Sequence, residues 1–302
     1  MNWKWRLRTV LMFTVLTTLL AAVGWIIGYS FNSPVLGLAF MTVLAVMMII
    51  SSTLFSKKQA LRSNRVKLVT EAEEPRLYRI VRNVSMMANI PMPEVGITND
   101  YMPNAFATGR GPSDAAVVAT RGLLDMLNDE ELEGVIAHEI SHVKNRDIFV
   151  MSVAASVSAI IAYLARFAMY ATMFSNNDNR NPLMSLVAVV GYMILPFAAL
   201  LVQLGISRNR EYLADESAAR LTRKPDALAN ALIKIEQGCS SPRNNYNNPA
   251  YGPVWISNPE GRKKSLTKTL FSTHPDTKDR IKRLSDMAAE YGRYVKNYDY
   301  RY

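Results

Sequence analysis

The sequence predicts a mainly α-helical membrane protein, with about four transmembrane helices and a cytosolic α+β domain built on a small antiparallel sheet. Three observations predict it. No Asp, Glu, Lys, Arg or His occurs from Thr9 to Ser56. Two further apolar runs follow, Ile148 to Phe174 with Arg166 as its one charge and Leu183 to Ser207 with none. The segments between and after these runs are charged and mix helical with strand-like periodicity.

The first apolar run is divided by FNSP, Phe31 to Pro34, into two halves. Each is about 20 residues long, enough at ~1.5 Å per residue to span a hydrocarbon core of ~30 Å. A cleaved signal peptide would be followed by soluble sequence, whereas here a second apolar half follows at once. Residues 1–56 are therefore expected to form a membrane hairpin. Lys4, Arg6 and Arg8 precede it, and Lys57, Lys58, Arg62, Arg65 and Lys67 follow it. That charge asymmetry places both ends on the cytoplasmic side. It also accounts for much of the net charge of +10 over 302 residues, with no aromatic-basic motif pointing to nucleic acid. The single cysteine, Cys239, excludes an internal disulfide and a cysteine-based metal cluster.

Residues 57–147 read as the first part of a soluble domain. Glu71 to Ile90 has amphipathic helical spacing, and PEVGITND is a short strand. NAFATGR, the GPSD turn and AAVVATRG read as a two-stranded hairpin. Asn128 with Glu131 forms a capping-box pattern at the start of a helix running through ELEGVIAHEISHVKNRD. Residues 148–207 are expected to form a second hairpin, its loop SNNDNRNP carrying little charge. A buried helical pair is the alternative, and length and apolarity favour the membrane. From 208 to 302 the chain is soluble in composition. It is expected to be helical to Gln237, to form a long loop from Gly238 to Ser265, and to close with a helix over about Pro275 to Tyr291.

AHEISH, residues 137–142, holds two of the three histidines in the chain. On a helix, His138 and His142 share one face and can aim two ring nitrogens at one metal, for which zinc is suited. Glu139 lies beside them, able to take a proton from a water that the metal acidifies. Such a site needs a third ligand. His274 is one candidate; the other is a carboxylate in SRNREYLADESAA, where Glu211 and Asp215 are four apart. Glu211 could bind the metal while Asp215 accepts a hydrogen bond from a ligating histidine. Glu130, Glu131, Glu133, Lys144, Arg146 and Asp147 flank HEISH, so this helix lies outside the bilayer. NPEG, Asn258 to Gly261, is therefore no sign of an intramembrane site.

HEISH, an apolar pair and then REYLAD resemble the M48 metallopeptidases, in particular their membrane heat-shock members, over nearly the whole chain. The resemblance implies a zincin-type protease domain that binds one Zn2+ through His138, His142 and Glu211. Asp215 then stands behind a ligand, and the family's arginine falls on Arg208. Glu139 would be the general base, and His274 of the His-Pro motif would steady the oxyanion. Asn104, Ala105, Phe106 and Ala107 match the family's strand, whose edge would pair with an extended substrate. Two departures are local: Asp276 stands where relatives often have proline, and the 238–265 loop matches no pattern.

What the resemblance implies is a multi-pass zinc endopeptidase of the cell inner membrane, with protease domain and both termini cytoplasmic. Its partners would be the lipid bilayer and unfolded or membrane protein substrates, with a functional link to an ATP-dependent membrane protease. A zinc-binding adaptor without proteolysis would not need Glu139. A prenyl-protein peptidase shares the motifs but has about seven spans in a longer chain.

Overall fold

A computed structural model describes residues 3–30, 33–174, 182–239 and 275–296 of the chain. These residues form two compact units, one of Asn2–Leu54 with Val150–Asn209 and one of Phe55–Phe149 with Arg210–Tyr302.

The first unit draws on four apolar helices: α1 (Trp3–Ser30), α2 (Pro34–Ser63), α6 (Asp147–Phe174) and α7 (Pro182–Thr222). Leu16 is buried among Ala154, Val157, Ile161, Ala199 and Ile206, and Val23 among Met41, Ala45, Ile160 and Leu164. Gly24 lets α1 approach α2 closely, since a Cβ there would lie 3.0 Å from Met41 Cγ. Leu11, Phe40, Met193 and Ile194 are exposed. Two stretches, Asp147–Arg166 and Val190–Thr222, are long and apolar enough to cross a membrane. Val10–Trp25 and Val35–Ser51 are shorter apolar helical stretches.

The second unit combines a small sheet with helices. Helix α3 (Pro75–Ala88) begins with proline at its first turn and ends where Asn89 takes a left-handed conformation. It buries Leu77, Ile80, Val81 and Val84, the apolar stripe its sequence announces. Strands β1 (Lys67–Leu68), β2 (Glu94–Thr98), β3 (Ala105–Gly109) and β4 (Ala115–Thr120) lie in the order β1-β2-β4-β3. β3 and β4 form the expected antiparallel hairpin, with Ala107 opposite Val117. The sheet, however, is mixed and not antiparallel, because β2 and β4 run parallel. After Thr98 the chain skips one strand position before turning back as β3, and β4 then fills the gap. All six residues of β4 are buried, which explains why AAVVA is an unbroken apolar run: a central strand covered on both faces does not alternate.

Short α4 (Arg121–Met126) leads to α5 (Asp129–Lys144). The capping box is present: Glu131 N–H donates to Asn128 Oδ1 at 2.9 Å, and Asn128 N–H to Glu131 Oε2 at 3.0 Å. α5 packs on α3, β3 and α8 (Pro225–Cys239). The expected helix from 208 to 237 is broken at Arg223, a left-handed residue, so that α7 ends and α8 begins. The last helix, α9 (Thr277–Glu290), starts at Asp276, whose side chain accepts from Lys278 N–H at 3.0 Å. That cap gives Asp276 a physical reason to replace proline. His274 and all but the first two residues of the 238–265 loop lie outside the described residues.

Candidate metal centre

α5 carries HEISH, and the core holds that helix in register. Leu132, Val135, Ile136, Ile140 and Val143 are buried along it. Gly134 lets α8 come close, since a Cβ there would lie 3.0 Å from Leu228 N. His138 and His142 share one side of this helix, and their rings meet edge to face with centroids 4.7 Å apart. α7 brings Glu211 to the same point. One donor atom from each of His138, His142 and Glu211 lies within 4.8 Å of the others.

The distances between donors test whether a metal fits. His138 Nε2 and His142 Nε2 are 3.1 Å apart. Glu211 Oε2 lies 3.6 Å from His138 Nε2, and Oε1 lies 3.5 Å from His142 Nε2. Tetrahedral ligands at ~2.05 Å from a common ion are separated by about 3.3 Å; the two nitrogens and each nitrogen with its nearer carboxylate oxygen lie close to that edge, and one atom from each residue fits within 4.8 Å. Each Nδ1 lies near a carboxylate, so the Nε2 atoms of both rings are the ones turned toward Glu211. The 3.1 Å approach of the two Nε2 atoms is met by a proton on one ring in the metal-free protein, or by a metal ion that both would bind.

Each histidine is backed by a carboxylate that an arginine holds in turn. His138 Nδ1 lies 2.9 Å from Asp215 Oδ1. Arg280 grips Asp215, donating from Nε to Oδ2 at 2.8 Å and from Nη2 to Oδ1 at 2.7 Å. Arg280 Nη1 also lies 3.5 Å from Glu211 Oε2. On the other side, His142 Nδ1 lies 2.8 Å from Asp147 Oδ2, and Arg210 Nη1 donates to Asp147 Oδ1 at 2.8 Å.

The electrostatics follow from this wiring. Burial would lower the pKa of His138, but the carboxylates of Asp215 and Glu211 outweigh it and push it up to about 10. Burial opposes ionisation of Asp215, yet the Arg280 guanidinium pulls it down to about 2. His142 is likewise raised, against burial, by Asp147 and Glu211. Glu139 is raised chiefly by its own burial, with Glu211 adding to the effect and the histidines opposing it.

Glu139 reaches the sheet. Its Oε2 accepts a hydrogen bond from Ala107 N–H at 2.8 Å. β3 is an outer strand. Thr120 N–H donates to Asn104 C=O at 2.9 Å, and Arg110 N–H donates to Asp114 C=O at 3.2 Å. Alternation along the strand therefore turns the backbone groups of Ala105, Ala107 and Gly109 away from β4, toward the edge that no other strand pairs with among the described residues. Ala105 and Phe106 are buried, as is Asn104, whose N–H donates to Thr120 Oγ1.

Arg208 lies on α7 but in the apolar unit, three residues before Glu211. Arg210, the residue before Glu211, meets the centre through Asp147. Sequence reasoning missed Asp147, Arg210 and Arg280. Asp147 follows His142 by five residues and reads only as a flanking charge. Arg280 left a signal: it heads the buried stripe Arg280, Ile281, Leu284, Ser285 and Ala288 of α9, where a charge is out of place unless paired.

Comparison with known proteins agrees with this geometry. Residues 71–288 match peptidase family M48. A protease HtpX homolog of Pyrococcus furiosus is 44% identical over 286 residues, covering 94% of this chain and 96% of that protein. A protease HtpX homolog of Syntrophobacter fumaroxidans is 40% identical, covering 93% and 99%. Another, from Campylobacter hominis, is 40% identical, covering 93% and 98%. The crystal structure of S. mikatae Ste24p shares the fold, with a TM-score of 0.51 at 18% identity over 92% of this chain and 64% of that one. A family match over most of the chain, on the segment that carries both halves of the centre, decides the question: this chain belongs to peptidase family M48, alongside the HtpX proteases.

Proposed function

We propose that the chain is a zinc endopeptidase of the inner membrane that cleaves misfolded or membrane proteins, a quality-control activity. The observation that carries this reading is the convergence of His138, His142 and Glu211 donor atoms within 4.8 Å of one another, with buried Glu139 beside them. These three residues would hold the ion, which supplies a Lewis acid that acidifies water and polarises a carbonyl. Ala107 N–H occupies Glu139 Oε2, leaving Oε1 to take the proton of the attacking water and pass it to the leaving amine. Asp215 holds His138 in its ligating tautomer. Within the strand from Asn104 to Ala107, the outward backbone groups of Ala105 and the Ala107 carbonyl would pair with an extended substrate through main-chain hydrogen bonds, a mode tolerant of sequence.

The basic residues from Lys57 to Lys67, at the end of α2 and just beyond it, support a cytoplasmic protease domain made of 57–147 and 208–302, with 1–56 and 148–207 as two membrane hairpins. Arg208 and His274 are kept as further site residues on the resemblance alone. The test is casein digestion by detergent-purified protein. Wild type digests and a chelator stops it; Glu139→Gln retains metal but loses about 10²–10⁴-fold in rate. Undiminished digestion by Glu139→Gln sinks the mechanism.

A further inference from the structure

The two halves of the centre are separated by a long apolar segment, and one ion pair joins the ends of that segment. Asp147 is the first residue of α6, and Arg210 lies on α7 immediately before Glu211. They are 63 residues apart in sequence, yet Arg210 Nη1 and Asp147 Oδ1 are 2.8 Å apart. The Asp147 side chain is 4% exposed and that of Arg210 14%. A pair this enclosed keeps its geometry, unlike a solvated surface pair.

The second oxygen of Asp147 does a different job. Oδ2 lies 2.8 Å from His142 Nδ1, so one carboxylate meets a histidine of the centre and an arginine at once. The backbone is bent to allow this. α5 stops at Lys144, and Arg146 takes φ 56° before α6 begins. A left-handed arginine is uncommon, and here it interrupts what would otherwise continue as helix. The result is a carboxylate at the end of α5 beside the imidazole of His142.

We propose that Asp147 and Arg210 are positioning residues of the metal centre: Asp147 holds His142 with its proton on Nδ1, and Arg210 holds Asp147, registering α7 and its Glu211 against α5. The inference rests on the reading of His138, His142 and Glu211 as ligands. Arg210 acts through Asp147 and does not touch the metal or the substrate. The His138–Asp215–Arg280 chain is its counterpart on the other ligand, so each imidazole is oriented by a carboxylate whose charge is matched by an arginine.

The test measures zinc affinity, by competition with a chromophoric chelator, on the metal-stripped full chain in detergent. Melting of each metal-free variant is recorded alongside. Asp147→Ala is expected to weaken zinc binding about 10–100-fold. Asp147→Asn, which keeps an acceptor for Nδ1–H and serves equally well at a helix start, should fall between it and wild type. Arg210→Met should weaken binding in the wild-type background and add nothing to Asp147→Ala, because its effect passes through that carboxylate. Wild-type affinity in Asp147→Ala and Asp147→Asn overturns the proposal, whatever their melting. So do losses from Arg210→Met and Asp147→Ala that multiply. Where Asp147→Ala does not fold, Asp147→Asn alone and combined with Arg210→Met decides. His142→Ala separates the two levels: if it binds zinc as wild type does, the ligand reading itself falls. If it loses zinc while the Asp147 variants do not, only this inference falls.

Discussion

Arg280 and Asp215 form a buried pair in which the guanidinium makes two hydrogen bonds to one carboxylate, at 2.8 and 2.7 Å. Both side chains are almost wholly enclosed, at 1% and 6% exposure. Removing one partner leaves the other charge buried and unmatched. Arg280→Met is therefore predicted to cost about 3–5 kcal/mol, read as a fall in melting temperature and in the folded fraction. Arg280→Lys should not restore it, because an ammonium lacks the planar fork. A melt unchanged in Arg280→Met would show that Asp215 is neutralised by some other route.

The metal-free protein should respond to pH in a defined sense. His138 is raised from 6.5 to about 10, so its proton stabilises the fold fully below pH 6.5 and that contribution is lost as pH rises through 10. Asp215 is lowered from 3.8 to about 2, so its contribution is full above pH 3.8 and is lost as pH falls through 2. Together these two groups predict greatest stability between about pH 4 and 6.5. Metal reverses the alkaline half, since a ligating imidazole must give up the proton it would share. Melting curves at about pH 6 and pH 9.5, with chelator and with zinc, check the sign. Alkaline weakening of the zinc-loaded protein as large as that of the stripped one contradicts it.

Ala107 donates to Glu139 on the side of β3 away from the hairpin partner. Proline at 107 thus removes that donor without cutting a bond to β4. Ala107→Pro is predicted to lower casein cleavage by about 10–100-fold, the worth of a hydrogen bond to a charged group. Zinc affinity should stay within about twofold, because no ligand is touched. Equal loss of zinc and of cleavage would mean that the substitution damages the fold instead.

Gly134 sets how near α5 stands to α8. The atoms a Cβ would meet are backbone, Leu228 N at 3.0 Å and Leu228 Cα at 3.1 Å. Neither can swing aside as a side chain does. Gly134→Ala is predicted to destabilise by about 1–3 kcal/mol by overpacking, despite alanine's better helix propensity. A stabilised variant, seen as a higher melting temperature, would show that α8 shifts freely.

The helices were legible because their signals are local. The capping box at Asn128, the amphipathic stripe of α3 and the uncharged runs each follow from residues within a few positions of one another. Spacing alone put His138 and His142 on one face, and the HEISH and REYLAD resemblance marked Glu211 and Asp215. The parallel pairing of β2 with β4 was not legible, since strand order depends on which gap a later strand fills. Nor were the partners of the histidines beyond Asp215. Asp147 looked like a charge in a polar flank, and Arg280 like one of several charges on a charged helix.

By itself the sequence determined the apolar segments, the helix that carries two imidazoles and a glutamate, and the family whose chemistry those residues share. Periodicity, capping and motif spacing act over one or two helical turns, and one chain suffices to read them. The tertiary structure decided which arginine holds which carboxylate, which strand is outermost in the sheet among the described residues, and that Ala107 faces Glu139. Those relations join residues 32 to 65 positions apart, and only the closing of the fold brings them within reach.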